Sequence, residues 1–341
     1  MATRACIVGV SGTVLADAER AFLRDAQPWG LILFKRNVET PAQVAALTAS
    51  FREAVGRDAP VLVDQEGGRV QRLGPPHWPA YPPGATFGRV GERLGAALGE
   101  KAARLGHTAI ANDLIAVGID VDCAPVADVP AAEADPIIGD RAYGTDPAAV
   151  SRLARAAAEG LLAGGVLPVI KHIPGHGRAC ADSHLALPVV TAPRATLEAT
   201  DFLAFRPLAD LPLAMTAHVV YDAVDPLAPA TCSATLVRDV IRGWIGFGGL
   251  LMSDDISMGA LAGPIAERSR AAIAAGCDVV LHCNGQLAEM REVAAAVPAL
   301  EGEAAARAER ALSRRGKAEP CDIAALRAEL ADLLEPQRAL S

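Results

Sequence analysis

The densest group of side chains capable of chemistry lies in one short segment of the chain. Three of the seven histidines fall within thirteen residues, in Lys171–Gly177 (KHIPGHG) and Asp182–His184 (DSH). Pro174 and the two glycines do not permit a continuing helix, so this segment is predicted to be a loop that leaves a strand. A single isolated histidine is more often structural, but loops held on a rigid scaffold commonly carry function. The clustering therefore favours a functional site.

Two kinds of chemistry fit this segment. His172, His176, Asp182 and His184 are residue types that bind zinc or iron. Histidines at this spacing share a face only on a helix, however, and Lys171 would repel a cation. Alternatively, if residues 182–184 are extended, Asp182 and His184 project to the same side, and the carboxylate can orient the imidazole as a general acid and base. Both alternatives stay open on the residues alone.

A second segment, Gly249–Met258 (GLLMSDDISM), ends an apolar run with Ser253, Asp254 and Asp255. Serine and aspartate after a strand often cap the next helix. We expect one aspartate to face a cavity while its neighbour or Ser257 acts as the cap. An ionised carboxylate in that position is what a retaining glycosidase uses to attack an anomeric carbon.

A third segment, Val61–Arg72 (VLVDQEGGRVQR), places Asp64 at the end of another apolar run. A carboxylate with a nearby arginine can bind sugar hydroxyls in pairs, although surface ion pairs have the same pattern. Asp140 and Arg141 are adjacent in the sequence, and by themselves they are predicted to form a solvated ion pair.

The elements that must position these residues alternate between short apolar runs and Ala-rich helical stretches. The predicted strands are Cys6–Val10, Leu31–Phe34, Val61–Val63, Ile119–Cys123, Leu167–Ile170, Leu213–Thr216, Leu250–Ser253 and Val279–His282. The predicted helices include Thr40–Val55, Glu92–Val117, Ala148–Ala163 and Ile265–Ala275. Eight such strands favour a (β/α)8 TIM-type barrel over an open sheet.

In either architecture the polar residues share one position, because Asp64, Lys171, His172, His218 and Asp254 lie at or just past the C-terminal ends of predicted strands. Catalytic groups gather at that end of a barrel. We expect one domain over residues 1–341, with a barrel core at about 5–300 and peripheral helices from 301 to 341.

Composition limits the function further. The chain has 341 residues, a formal net charge of −8 and 51% hydrophobic residues. It carries no basic stripe, so no nucleic-acid partner is expected. Seven scattered cysteines without a C-x-x-C pair favour a reducing compartment. The first apolar run is too short for a signal peptide and none could span a bilayer, so we expect a cytoplasmic protein with no membrane partner.

Taken together, the three segments resemble family 3 glycoside hydrolases, and specifically the short bacterial β-N-acetylhexosaminidases of peptidoglycan recycling. The Lys171–His184 segment is similar to the family's K-H-[FI]-P-G-H-G-x4-D-S-H loop, Asp64–Arg72 to its D-Q-E-G-G-R-V-Q-R segment, and Ser253–Met258 to its S-D-D-[LI]-S-M segment. The segments LILFKRN (31–37), APVAD (124–128) and Ala217–Val219 also match. The resemblance covers about residues 7 to 285.

The resemblance implies a role for each matching residue. Asp254 would be the nucleophile and His184 the acid/base, with Asp182 as its partner. The residues implied to hold N-acetylglucosamine are Asp64, Arg72, Arg141, Lys171 and His172. The family's β-glucosidases usually add a second domain that supplies a carboxylate acid/base, and the histidine segment here favours the hexosaminidase branch. One departure is Trp244, where the family usually has a charged or amide residue.

We therefore expect a monomeric exo-β-N-acetylglucosaminidase that acts on muropeptide fragments and needs no cofactor and no metal. Two alternatives compete with it. A metal-dependent hydrolase would use the same histidines and aspartate and would lose activity with a chelator. A non-catalytic sugar-binding barrel would bind N-acetylglucosamine without turnover.

Overall fold

The computed structural model describes residues 2–183, 185–316 and 318–335, and within them eight parallel strands close into a barrel. The strands are β1 (Arg4–Gly9), β2 (Pro28–Leu33), β3 (Val61–Val63), β4 (Val121–Asp122), β5 (Leu167–Ile173), β6 (Leu213–Thr216), β7 (Leu250–Asp255) and β8 (Val279–His282). Each strand pairs with the next in the chain, and β8 closes onto β1, where Cys6 lies opposite Val280. The predicted (β/α)8 barrel is confirmed.

Helices surround the barrel. They are α1 (Asp17–Ala26), α2 (Pro41–Val55), α3 (Gly84–Leu94), α4 (Ala96–Ile115), α5 (Pro147–Ala163), α6 (Arg194–Ala199), α7 (Ile265–Ala275), α8 (Leu287–Ala296), α9 (Gly302–Leu312) and α10 (Ile323–Leu334). A π-helix spans Leu236–Trp244, and short 3-10 helices span Lys35–Asn37, Gly139–Arg141, Leu203–Leu208 and Ala230–Cys232. In the described part of the chain, no helix is both long and apolar enough to cross a membrane.

Every predicted strand overlaps a barrel strand, because a strand buried on both faces is a continuous apolar run. The strand β5 is longer than predicted and runs through Lys171 and His172 to Ile173. The predicted helix Glu92–Val117 is wrong as a single element. It is divided between α3 and α4 at Gly95, whose φ of 101° is accessible to glycine and unfavourable for other residues.

The C-terminal helices α9 and α10 pack outside the barrel, as predicted. Arg307 of α9 donates to the carboxylate of Asp278 at 2.9 Å, next to the start of β8. Leu330 of α10 is buried, and this helix contacts α3 and α4. These contacts attach the last two helices to the wall of the barrel.

Two small sheets lie in the loops. Gln65–Gly67 pairs with Val70–Gln71 in antiparallel fashion just after β3, and Val189–Val190 pairs with Val220–Tyr221 in parallel. Gly67 and Gly68 both have positive φ, and a Cβ on either would collide with Pro82 or Pro83. The Gly-Gly pair therefore permits the tight turn that returns the chain toward Arg72.

Candidate active site

A cavity of about 350 Å³ opens at the C-terminal ends of the barrel strands. Six of the eight site residues predicted from the sequence line it: Asp64, Arg72, Arg141, Lys171, His172 and Asp254. They come from barrel strands and the loops that follow them. The parallel arrangement explains the convergence, because all strand C-termini of a barrel meet at one face.

Asp64 follows β3 and binds two cations. Its Oδ1 accepts a hydrogen bond from Lys171 Nζ at 2.8 Å, and its Oδ2 accepts one from Arg72 Nη2 at 2.9 Å. Burial alone would raise the pKa of Asp64, but the charges of Lys171 and Arg72 outweigh burial and hold the pKa well below its usual value. Asp64 is therefore ionised in the folded protein.

Glu66, which was not among the predicted site residues, is central to the same network. Arg141 donates to both of its carboxylate oxygens at 2.9 Å, and Lys171 Nζ lies 2.7 Å from Oε1. Burial disfavours the charged form, but Arg141 and Lys171 lower the pKa of Glu66 to about 2. Burial disfavours the charged form of Lys171 too, but the two carboxylates raise its pKa above the usual value. We call Asp64, Glu66, Arg72, Arg141 and Lys171 the charged cluster.

The predicted solvated ion pair between Asp140 and Arg141 is wrong. Arg141 turns into the cavity, where only 9% of its side chain is exposed, and pairs with Glu66. Asp140 instead accepts a hydrogen bond from Arg69 at 3.1 Å. Arg69 also donates to the Ile138 carbonyl at 3.2 Å, so it holds the loop that carries Arg141. Adjacent residues in a 3-10 turn point in different directions, which the sequence spacing alone did not reveal.

His172 and His176 share a buried carboxylate, Asp128. Asp128 Oδ2 lies 2.7 Å from His172 Nδ1, and Oδ1 accepts hydrogen bonds from the backbone N–H groups of His172 at 3.2 Å and His176 at 2.6 Å. The two imidazole rings are 5.7 Å apart. Burial and the neighbouring His172 lower the pKa of His176 to about 4, so this ring is neutral at physiological pH.

The two aspartates that end β7 have different surroundings. Asp255 Oδ1 accepts from the Ser257 and Cys283 backbone N–H groups at 3.0 and 3.1 Å, and its Oδ2 accepts from Ser257 Oγ at 2.7 Å. Asp254 Oδ1 accepts from the Asp255 N–H at 2.8 Å. The expected helix cap is wrong: the next helix, α7, begins at Ile265 after Pro264, and Asp255 instead closes a turn with Ser257.

The surroundings of Asp254 favour its ionised form. Burial alone would raise its pKa, but the charge that His218 and His172 can carry, the Asp255 N–H and Lys171 together lower it. His218 lies beyond β6, and its Nε2 is 3.0 Å from the Asp255 carbonyl oxygen. An ionised carboxylate at the mouth of a barrel, next to groups suited to sugar hydroxyls, fits glycosyl transfer to a carboxylate.

A model of the glycosyl hydrolase family 3 N-terminal domain matches residues 7–314. The chain belongs to glycoside hydrolase family 3. The family predicted from the sequence is thus confirmed.

Individual relatives of this family 3 chain agree with that assignment. It is 42% identical over 285 residues to a protein of Alkalilimnicola ehrlichii named Beta-hexosaminidase, a match that covers 82% of this chain and 80% of the relative. A Beta-hexosaminidase of Chromobacterium violaceum is 38% identical, with 98% of this chain and 96% of the relative covered. The structure of NagZ from Neisseria gonorrhoeae in complex with N-trifluoroacetyl-D-glucosamine superposes with a TM-score of 0.88 at 32% identity, covering 98% and 99% of the two chains.

The two remaining predicted site residues, Asp182 and His184, fall between residues 174 and 188, and we call the described part of that stretch, 174–183 and 185–188, the histidine loop. His184 lies outside the described residues. In the part of the chain that the structure describes, Asp182 is half-buried and is not among the residues that line the cavity, whereas its neighbour Ser183 is. The backbone around Asp182 is not extended as supposed, because Leu185 N and Ala186 N both donate to the Asp182 carbonyl at 3.0 Å.

Ser183 makes two contacts that anchor the histidine loop, one within the loop and one to the segment that follows β7. Its Oγ lies 3.0 Å from His176 Nε2, and its carbonyl accepts a hydrogen bond from Ala260 N at 3.2 Å. The set of possible metal ligands named from the sequence included His184. Within residues 2–183, 185–316 and 318–335, no group of three or more His, Cys, Asp or Glu side chains is arranged to hold a metal ion.

Proposed function

We propose that this family 3 hydrolase is a retaining exo-β-N-acetylglucosaminidase that removes terminal β-linked N-acetylglucosamine from muropeptides during cell-wall recycling. The broader enzyme class predicted from the sequence, a β-N-acetylhexosaminidase, is confirmed by the family and by relatives named Beta-hexosaminidase. The substrate, the mechanism and the role of each residue belong to the proposal.

The observation that carries the mechanism is the placement of Asp254. It is a half-buried carboxylate with a lowered pKa, it lies near the end of a barrel strand, and it lines the cavity. A nucleophile must be ionised and must face the anomeric carbon. Asp255 also lines the cavity but is the poorer candidate, because both of its oxygens already accept hydrogen bonds from Ser257 and one also accepts from Cys283. Asp254 therefore attacks the anomeric carbon and forms a covalent glycosyl-enzyme.

The charged cluster and His172 hold the sugar. Asp64, Arg72, Lys171 and Arg141 present carboxylate oxygens and N–H donors whose positions are fixed by one another and by Glu66. Such groups are already ordered before the substrate binds, so binding costs little further reorganisation. Hydroxyl and amide groups of N-acetylglucosamine replace water at these atoms, and a sugar that lacks one of them leaves a buried polar group unpaired.

Proton transfer falls to His184, with Asp182 as its partner. The motivation is the match of the D-S-H segment to the family together with the position of Ser183, their shared neighbour, on the cavity wall. His184 protonates the leaving oxygen as Asp254 attacks, and then takes a proton from the water that releases the sugar. Because Asp254 attacks one face of the anomeric carbon and water then displaces it from the other, the two inversions give a product that retains the β configuration.

The biological substrate is a muropeptide with terminal N-acetylglucosamine, and the protein acts as a cytoplasmic monomer. The support is the similarity over nearly the whole chain to NagZ of Neisseria gonorrhoeae, in a complex with an N-acylated glucosamine. The composition described above supports the location. The cavity of about 350 Å³ is at the small end of ligand pockets, which suits one terminal sugar.

Trapping with a 5-fluoro N-acetylglucosaminyl donor tests the proposal. The label is expected on Asp254 after digestion and mass spectrometry, and turnover of a chromogenic β-N-acetylglucosaminide is expected to exceed that of the matching β-glucoside. A label on Asp255, an α product in the first minutes of reaction, or equal kcat/KM values for the two sugars would each contradict it. Activity in the presence of a chelator separates this mechanism from a metal-dependent hydrolase.

A further inference from the structure

Asp128 is a fully buried carboxylate that the proposed mechanism does not use. It lies on the segment that follows β4, and that segment runs beside β5. Val126 forms a β-bridge with Lys171, and Ala127 N donates to the Lys171 carbonyl at 2.8 Å. The backbone next to Asp128 is therefore tied to the strand that carries His172.

The two oxygens of Asp128 have separate tasks. Oδ1 accepts the backbone N–H groups of His172 and His176, while Oδ2 faces His172 Nδ1 at 2.7 Å. A fully buried carboxylate must find its partners inside the protein. Burial alone would raise the pKa of Asp128, but His172 and the contacts with His176 lower it. Asp128 is thus an acceptor at both oxygens, and His172 Nδ1 must carry the proton of their hydrogen bond.

We infer that Asp128 is a positioning residue for sugar binding: it holds His172 with Nδ1 protonated and Nε2 directed to the cavity. This inference rests on the proposed function, in which His172 contacts N-acetylglucosamine. In a neutral imidazole only one nitrogen carries hydrogen, and the partner of one nitrogen determines the role of the other. His172 lines the cavity, and its Nε2 is on the edge of the ring away from Asp128.

The orientation of His172 determines which group donates the hydrogen bond between His172 and the sugar. With Nδ1–H bound to Asp128, the neutral ring presents Nε2 as an acceptor, so a sugar hydroxyl donates to His172. The neighbouring Lys171 Nζ can only donate. Two adjacent residues of β5 thus offer an acceptor and a donor to the substrate, and a sugar with the wrong hydroxyl configuration cannot satisfy both.

The variant Asp128→Asn separates the two tasks. The carbonyl oxygen of the substituted side chain can still accept both backbone N–H groups, but its amide nitrogen can only donate toward His172 Nδ1. His172 should then change tautomer and carry its proton on Nε2. Nitrogen NMR of histidine-labelled protein reads this directly, and the His172→Ala variant assigns the resonance. In the wild-type protein the spectrum should already show Nδ1 protonated, which tests the inference without any variant.

Activity supplies the second readout. We expect Asp128→Asn to lower kcat/KM about 10- to 100-fold on a chromogenic β-N-acetylglucosaminide, mainly through KM. In a His172→Ala background the same substitution should change kcat/KM less than about twofold, because its effect passes through the ring. Circular dichroism and Tm of each variant verify folding.

Two results would overturn the inference. One is a wild-type His172 ring that is protonated at Nε2 rather than Nδ1 when neutral. The other is an equal loss from Asp128→Asn in both backgrounds, which would mean that Asp128 acts only through the backbone. If the wild-type enzyme does not hydrolyse the β-N-acetylglucosaminide at all, the proposed function fails, while the NMR result still decides the orientation of His172.

Discussion

The charged cluster and the histidine loop hold their side chains in different ways. In the cluster, the side chain of Lys171 is 3% exposed and contacts Asp64 at 2.8 Å and Glu66 at 2.7 Å. Arg141 forms a bidentate ion pair with Glu66. Each group is fixed by at least one opposite charge. The histidine loop combines buried Ser183 with Leu185, which is 80% exposed, and Leu187, which is 40% exposed.

The difference corresponds to the two tasks of the proposed reaction. A sugar site gains affinity when its polar groups are ordered in advance, and buried ion pairs on strands provide that order. An acid/base must serve the departing oxygen and then the incoming water, and the exposed end of the histidine loop at Leu185 is less constrained by packing than the cluster. The comparison predicts that substitutions in the cluster impair binding and stability, whereas substitutions in the loop impair proton transfer.

The largest effect is expected at Asp254. Replacing Asp254 with Asn keeps the shape and removes the nucleophile, so kcat/KM should fall about 10⁴-fold or more on every substrate. Steady-state rates on a chromogenic β-N-acetylglucosaminide provide the measurement. Asp255→Asn is the matched control, and its loss should be smaller and accompanied by a lower Tm, because Asp255 accepts hydrogen bonds from the backbone N–H groups of Ser257 and Cys283. Equal losses without a Tm change would contradict the assignment.

The next effect depends on the leaving group. His184→Ala should reduce cleavage of a disaccharide about 10²- to 10³-fold, because a sugar alkoxide leaves poorly without a proton. Glycosylation by an aryl glycoside with a low leaving-group pKa should change much less. Asp182→Asn should act in the same direction but more mildly. If the loss is the same across a series of leaving groups, His184 is a binding residue and the acid lies elsewhere.

The fold could be read from the sequence because each barrel strand is a compact apolar run, and several polar site residues lie at or near the ends of these runs. Asp64 and Asp254 were located for that reason. The division between α3 and α4 could not be read, because Gly95 resembles any other glycine inside a helical stretch until its φ is known. The short strand Gln65–Gly67 could not be read either, because glycines are typical of turns and Gly67 belongs to both the strand and the turn that follows it.

Within the site, sequence reasoning failed where a side chain's partner is distant in the chain. Glu66 lies in the D-Q-E-G-G segment, but the sequence does not mark it as a site residue because its partner Arg141 lies 75 residues away. Asp128 lies in the APVAD segment, and it is the β-bridge between Val126 and Lys171 that brings it to His172. Neither contact has a local spacing signal. The one sequence feature that indicates a possible site at both positions is a carboxylate next to an apolar segment.

A third prediction tests the charged cluster through its contribution to the free energy of unfolding. Lys171→Met removes the cation that Asp64 and Glu66 share. Each of the two carboxylates then loses one of its opposite charges. Breaking such a pair should reduce the free energy of unfolding by about 3–5 kcal/mol at pH 7. Urea unfolding measures this. The control is Lys101→Met, whose exposed pair with Glu329 should contribute less than about 1 kcal/mol.

The pH dependence of the wild-type protein follows from the same carboxylates. The pKa of Glu66 is about 2 and that of Asp64 is also lowered, so both lie below their unfolded values. Their contribution to stability is therefore complete above about pH 5 and is lost as the pH falls toward 2. In Lys171→Met the loss on acidification should be smaller and should end at a higher pH, because the pKa values of the two carboxylates in the folded protein move up toward their unfolded values. Identical acid profiles for the two proteins would mean that Lys171 does not hold these groups ionised.

The smallest effect is expected at Ser183, and it distinguishes the two regions most sharply. Ser183→Ala removes the hydrogen bond with His176 Nε2 and should cost about 1 kcal/mol of stability or less. Because the bond joins the start of the histidine loop to the segment that contains Asp182, the variant should also lose about fivefold in disaccharide cleavage while retaining aryl glycoside cleavage. Ser257→Ala is the matched control: it removes a 2.7 Å hydrogen bond to Asp255 beside the proposed nucleophile, so any loss should be the same for both substrates. Measuring kcat/KM for the two variants on a disaccharide and an aryl glycoside decides the point. If Ser183→Ala also affects both substrates equally, the loop does not transmit its position to the proton-transfer step, and the functional division between the two regions is wrong.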